Sequence, residues 1–545
     1  MSLFRIKTSI PPRLFHCRCF ATALPNDEEY TATPHYPPIL DMSFEKKLER
    51  KKVAKHEEIK AVKTVEEKQI KLNMPRFYGF KSYMLNEDYC PYNNLGLAQH
   101  VTRTHLIVNN ELPEYYKNID VSGVALNLKS EVEEAIAVEI DGYKRKNDFT
   151  NDDLTKMEME NLTSSLIVKQ LNRIIKNEMS TSHPHMKNAQ IDYEPRIEST
   201  WLAGGMDAPE RVKSVRRGRP WTKHMEDDPV DRLMVFLGSP CMTVRSELPL
   251  PPIVSRDEAE NAELEVPFFR LDPRAVGNKT EFRHIANTPG FWPGDPHKFG
   301  LLSYHNRGYL HNRKHYQDLQ DDKEAVHRQA IIASFGWLQA QANFLGFNTY
   351  NDITYPLVTQ TVITDGKVWS FYAYQLNTIV FHTMYVNENP KRNICWGTEE
   401  LNLYDRVENG KLEGFNDQVL ELLLKFYCNV PESRLGINLT PYLNHEEKVI
   451  ADYADDDKRQ WLEREYKFLV SNRPRFKLDY EVYSWEKIYK IDNKTRHMDK
   501  KLRPFELLQD PFKRTLDDRQ PIYIPRKFRP HLPRHKGKYA KEYFP

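Results

Sequence analysis

The sequence predicts an α+β fold: a mixed core containing a helix–β-hairpin–helix unit, with extended arms at both ends of the chain. Three observations predict it. Asp322 to Leu345 carries apolar residues at helical spacing and stops at Gly346; Pro356 to Leu376 reads as two runs of β-formers around Asp365-Gly366; and Asn416 can cap a second apolar helix that Pro431 ends. With 40% hydrophobic residues, a chain of 545 residues can bury a sizeable core. Thirty-five prolines against 21 glycines, with 29% charged residues, imply long connections and much surface facing water or partners.

Residues 1–20 read as a mitochondrial transit peptide. The first 26 residues hold Arg5, Lys7, Arg13 and Arg18 and no acid, and Arg18-Cys19-Phe20 before Ala21 resembles a matrix-protease site. Pro11 and Pro12 would interrupt a long amphipathic helix, so this expectation rests on charge and the cut site. Residues 21–110 follow as a charged and aromatic N-terminal arm. Within it, Ser43 to Lys71 has sixteen charged residues, ten of them basic, and reads as a solvated helix or an RNA-facing arm. Phe77, Tyr78, Phe80, Tyr83, Tyr89 and Tyr92, broken by Pro75 and Pro91, imply loops and short elements.

Residues 111–430 are expected to form the core. Leu154, Met157, Leu162, Leu166, Leu171, Ile174 and Ile175 make Asp152 to Lys176 an amphipathic helix. Near 180–270 the chain becomes polar and proline-marked, which predicts an irregular, basic, Pro-rich insertion. The second helix places Val326, Ala330, Ala333, Trp337, Ala340 and Phe344 on one stripe. In the hairpin, an Asp-Gly turn of type I′ sets Thr364 opposite Lys367. One face then collects Val358, Val362, Trp369, Phe371 and Ala373, interrupted by Gln360, and the other Thr359, Thr361, Ser370 and Tyr372. The first of these is the expected core face. Residues 431–545 form a C-terminal extension with one helix, Asp456 to Leu469, and a basic tail.

Most chemistry fails on spacing. Gly277-Asn278-Lys279-Thr280 lacks the glycines a phosphate loop needs, and His311 and His315 flank an Asn where a zinc protease needs its Glu. His183-Pro184-His185 has no third ligand in view. There is no GxSxG, GxGxxG or Cys-x-x-Cys, and Cys90, Cys241, Cys395 and Cys428 are scattered. No cofactor or metal is expected, and no apolar run approaches the roughly 18 residues of a membrane span. Two basic clusters remain as RNA-contact candidates. The first is Arg211, Lys213, Arg216, Arg217, Arg219 and Lys223, with Trp221 able to stack on a base and Gly218 and Pro220 keeping the chain extended. The second is Arg526, Lys527, Arg529, Arg534, Lys536, Lys538 and Lys541, without an acid. Loss of the leader removes four of 79 basic residues and none of 77 acids, leaving a formal charge of −2, so any RNA contact is local.

VITDGK with SFxxYQLNT, then NPxxNICWGT at Asn389 to Thr398 and GFND at Gly414 to Asp417, resemble the mitochondrial ribosomal proteins also called programmed cell death protein nine. The resemblance covers about Lys323 to Pro431, with an echo at Pro34 to Leu40. It implies a non-catalytic structural component of the mitochondrial large ribosomal subunit, a family once counted with the small one, acting in mitochondrial translation in the matrix. The implied partners are large-subunit rRNA and other large-subunit proteins, a paralogue among them. The competing expectation is a matrix RNA-processing enzyme or adaptor whose site goes unrecognised.

Overall fold

In a computed structural model the helix Leu319–Phe344 is enclosed over most of its length, every residue from Arg328 onward being buried. The expected stripe is there, but it is only part of what packs. The structure describes residues 40–72, 80–90, 92, 94–109, 111–149, 155–313, 319–382, 389–408, 410–446, 448–471, 501–502 and 542–543. The transit peptide, Phe77 and Tyr78, and the basic tail from 526 to 541 lie outside them. The chain divides into two units, residues 1–53 and 54–545. In the first, Ser43 N–H donates to Asp41 and Lys46 pairs with Glu49 at 2.7 Å on an exposed surface. All packing below lies in the second.

In chain order the helices are α1 (Phe44–Ala61), α2 (Val65–Leu72), α3 (Leu95–Thr102), α4 (Ser122–Phe149), α5 (Lys156–Met179), α6 (Pro184–Asn188), α7 (Glu210–Arg217), α8 (Arg256–Ala259), α9 (Leu319–Phe344), α10 (Asp417–Cys428) and α11 (Asp456–Ser471). The strands are β1 (Phe80–Asn86), β2 (Thr104–Val108), β3 (Gln190–Tyr193), β4 (Ile197–Met206), β5 (Val230–Gly238), β6 (Met242–Ser246), β7 (Thr280–Arg283), β8 (Thr288–Pro289), β9 (Phe299–Asn306), β10 (Leu357–Thr364), β11 (Val368–Leu376), β12 (Asn393–Gly397) and β13 (Leu401–Asn402), with a small ribbon of Arg406–Glu408 and Lys411–Glu413. One mixed sheet runs β2-β12-β11-β10-β9-β6-β3, with β13 beside β11; a second runs β7-β1-β5-β4-β8.

Helix α9 lies between these sheets, meeting β9, β10 and β11 on one side and β4, β5 and β8 on the other. Ser334 meets Thr361 of β10 at 2.8 Å, while Trp337 donates to the Pro289 carbonyl of β8 at 3.1 Å. Small residues make that fit possible. A Cβ on Gly336 would stand 2.2 Å from Cδ1 of Phe236, so β5 approaches the helix as closely as only glycine permits. Gly346 ends the helix with φ +90°, and the buried Lys68 ammonium of α2 donates to its carbonyl at 3.2 Å. Burial pushes that lysine down to about 8.

The hairpin keeps its expected faces but not its register. Thr364 pairs with Trp369, not Lys367, because Asp365 to Val368 form a four-residue loop in which the Asp365 carboxylate accepts the N–H groups of Lys367 and Val368. A shift of two residues leaves side-chain alternation intact. Val358, Val362, Trp369, Phe371 and Ala373 therefore pack in one core cluster with residues of α4, α5 and α10, Asn416 capping α10 as expected. Gln360, which interrupts that face, satisfies its amide fully: it accepts from Tyr116 and Asn429 and donates to the carbonyls of Leu301 and Phe426. The opposite face is equally buried, against α9.

Two expectations fail. The stretch 180–270 supplies β3, β4, β5 and β6, which belong to both sheets. Its prolines delimit strands instead of disrupting them: Pro195 and Pro209 flank β4, Pro229 and Pro240 flank β5, and Pro249 follows β6. Burial on both faces had removed the alternation that marks a half-exposed strand. Likewise residues 80–108, expected within an arm, place β1 and β2 in the sheets, and α2 packs with α11 around Ile70, Leu462, Tyr466 and Leu469. The charged run Ser43 to Lys71 is solvated only in part.

Gly336→Ala should destabilise the chain by about 1–3 kcal/mol. Phe236→Leu added to it should recover part of the loss in urea unfolding; strictly additive losses would mean that the two sites do not meet. His327 of α9, 2.8 Å from the Tyr372 hydroxyl, gives a pH test. Burial, then the Lys323 charge, pushes its imidazole from 6.5 down to about 4. Between those values the unfolded chain binds the extra proton, so stability falls as pH drops through that window. His327→Gln should remove about 3 kcal/mol of the stability change between pH 7 and 4. Equal acid sensitivity in parent and variant would refute it.

Candidate nucleic-acid interface

The first basic cluster sits on the connection between β4 and β5, residues 207–229. Expected to be extended, it is instead helical through Arg217: Pro209 precedes α7, and Val212 and Lys213 N–H groups both donate to the Pro209 carbonyl. Propensity explains the correction, since Glu, Arg, Val, Lys and Ser run unbroken until Gly218. The chain then turns through Pro220 and Trp221 and returns through Glu226-Asp227-Asp228.

That acidic return changes the electrostatics. Six basic residues on the connection face five acids, Asp207, Glu210, Glu226, Asp227 and Asp228. Lys213 pairs with Asp227 at 2.7 Å, and Arg217 donates to Glu226 at 2.8 and 2.5 Å. Hydrogen bonds from Lys213 and Arg217 hold the Asp227 and Glu226 carboxyls below their ordinary values. Arg216 reaches the carbonyls of Asp228 at 2.6 Å and Glu226 at 3.4 Å. Three of the six cations thus brace the connection. Arg211, Arg219 and Lys223 are exposed and form no ion pair among the described residues, and Trp221 is 49% exposed beside them. The signal that separates the two sets was present in the sequence, as the acidic triplet three residues after Lys223.

One arrangement that the sequence did not suggest has the order of groups of a nucleophile relay. His305 Nδ1 lies 2.5 Å from the Glu87 carboxylate, and its Nε2 lies 3.0 Å from Ser303 Oγ. None of the three is more than 2% exposed, and Ser303 Oγ also meets Thr361 at 3.2 Å in the middle of the sheet. A substrate carbonyl has no access there. Burial alone would raise the Glu87 carboxyl, but His305, the Ser239 N–H and Gln329 outweigh it and hold it low. The group is a buried link between the end of β1, β9 and α9. His311 contacts Glu160, and among the described residues no three His, Cys, Asp or Glu side chains are placed to hold a metal ion. Cys395 is buried in β12, which pushes its thiol well above its usual range.

These residues define an α+β protein whose polar interior serves packing and whose β4–β5 connection carries exposed basic side chains. The chain belongs to the family described as mitochondrial 28S ribosomal protein S30 (PDCD9), which matches residues 5–431. It is similar to the large ribosomal subunit protein mL37 of Bos taurus, 32% identical over 174 residues, 31% of this chain and 38% of that protein. The Gallus gallus protein of the same name is 25% identical over 232 residues, 42% and 46% of the two chains. The Rattus norvegicus protein is 26% identical over 174 residues, 32% and 39%. The chain thus spans less than half the length of the curated relatives it matches.

The bracing and exposed cations should separate by mutation. Alanine at Arg211, Arg219 and Lys223 together should leave thermal unfolding unchanged and reduce the salt slope of RNA binding by about 2–3 units, about one per lost phosphate contact. Arg216→Ala should instead speed amide exchange across 207–229. RNA binding that keeps its salt slope in the triple variant would remove this connection from the interface.

Proposed function

We propose that the chain is a non-catalytic structural component of the mitochondrial large ribosomal subunit, working in the matrix in mitochondrial translation. The observation that carries this is the family match over residues 5–431, joined to relatives that are named as large-subunit proteins. The α+β body docks against neighbouring large-subunit proteins, a paralogue among them, and basic segments reach ribosomal RNA. Phe268, Phe282 and Trp292 are more than 60% exposed, and covering them on docking would remove apolar surface from water. Arg211, Arg219, Lys223 and Trp221 support RNA contact on the β4–β5 connection, as do the seven cations between Arg526 and Lys541 by composition.

Sedimentation tests the assignment. The tagged protein should remain with the large subunit at salt concentrations that strip transient factors, and ultraviolet crosslinking of those particles should join residues 211–223 or 526–541 to RNA. Recovery mainly in light fractions would overturn the ribosomal role. Crosslinks from both segments to polypeptide alone would overturn only the RNA contacts.

A further inference from the structure

Between α5 and the edge strand β3 lies an open groove of about 310 Å³, lined among others by Lys169, Gln170, Arg173, Lys176, Asn177 and Tyr193. Lys169, Arg173 and Lys176 recur at i, i+4 and i+7, so they share one face of α5 and are spaced over about 10 Å along its axis. Their charges are only loosely answered. Arg173 is exposed and forms no ion pair among the described residues; the carboxylate that Lys169 meets, Glu194, is 3.8 Å away on a side chain 75% exposed. Lys176 donates to the Ala189 carbonyl at 2.9 Å, and burial lowers its pKa, so an anion in the groove would restore solvation it has lost. Of two other nearby acids, Asp192 is engaged by Arg245, while Glu139 accepts from Gln170 of the groove lining and keeps its charge there.

The groove offers more than charge. Tyr193 is 55% exposed, with the Lys169 ammonium 5.5 Å from its ring centroid, which makes an aromatic platform flanked by a cation. A flat stacking face, which inorganic phosphate lacks and a nucleobase supplies, suits that platform. We propose that this groove binds a single-stranded segment of RNA, with successive phosphates along Lys169, Arg173 and Lys176 and one base stacked on Tyr193. The proposal rests on the ribosomal role for its ligand class, but on residues separate from both basic clusters.

The experiment uses the full chain and a 12-nucleotide oligouridine carrying 4-thiouridine, crosslinked and mapped by peptide so that binding at the other basic segments is read separately. Adducts should map to the peptides spanning 169–176 and 190–193. Arg173→Ala and Tyr193→Leu should each cut that adduct about tenfold, as expected for loss of one phosphate or stacking contact. Arg173→Lys and Tyr193→Phe should largely retain it. Both side chains are exposed, so thermal unfolding should not move. Absence of adducts from these peptides, or adducts undiminished in the two variants, would overturn the groove as an RNA site. So would displacement of the oligonucleotide by polyglutamate of equal charge at equal concentration, which would mark an acidic polypeptide as the occupant. Variants that lose the adduct yet still sediment with the large subunit support groove and role together. A parent chain that forms the adduct but sediments only in light fractions supports the groove and removes the ribosomal role.

Discussion

The joining of the two sheets depends on burying α9 on both sides. A helix between two sheets cannot be merely amphipathic, because its second face also meets backbone and side chains instead of water. Its sequence meets that demand with small residues where strands come close, Gly336 against Phe236 being the tightest, and with polar side chains where the neighbouring sheet presents polar groups. Ser334 meets Thr361, Gln341 accepts from the Gly300 N–H, and Gln329 donates to Glu87. Each such group is costly to bury unless it is paired, so these pairings fix the position of the helix as well as stabilising it. The Glu87 and His305 pair, which in an open cleft would invite a catalytic interpretation, belongs to the same set of constraints.

Charge follows a different logic at the surface. The β4–β5 connection gathers cations that would repel one another, and the acidic triplet on its return leg both offsets that repulsion and holds the small helix in place. What remains for a partner is a subset of the cationic side chains. The α5 face reaches a comparable positive character differently, by spacing three basic residues along one rigid helix with few carboxylates beside them. Rigid presentation keeps the ordering cost of binding low.

Much of the fold was legible where one physical signal dominated. The α9 stripe, the Asn416 cap, the Asp456 helix and the two hairpin faces all follow from periodicity and turn chemistry, and the faces survived an error in register because that error was two residues. Strands β4 and β6 were not legible, since burial on both faces erases alternation and their flanking prolines resemble loop composition. The candidate interface was half legible. A count of basic residues found Arg211 to Lys223, but pairing with Glu226 and Asp227 depends on a turn that brings the chain back. In α5, the apolar spacing that marked the helix drew attention to its buried side, while Lys169, Arg173 and Lys176 occupied the other.

Strand order also governs when the protein can fold. Strand β2 lies at one edge and its sheet partner is β12; the Asn393 side chain that fastens this end donates to the Thr102 carbonyl, 291 residues away. A chain that emerges N-terminus first therefore holds β2 unpaired until those residues have followed it. Strand β1 is released sooner, once β5 follows it. An unpaired strand is a template for wrong pairing during that interval. The connectivity thus makes this chain dependent on being kept from its neighbours, or kept extended, until its last core strands arrive.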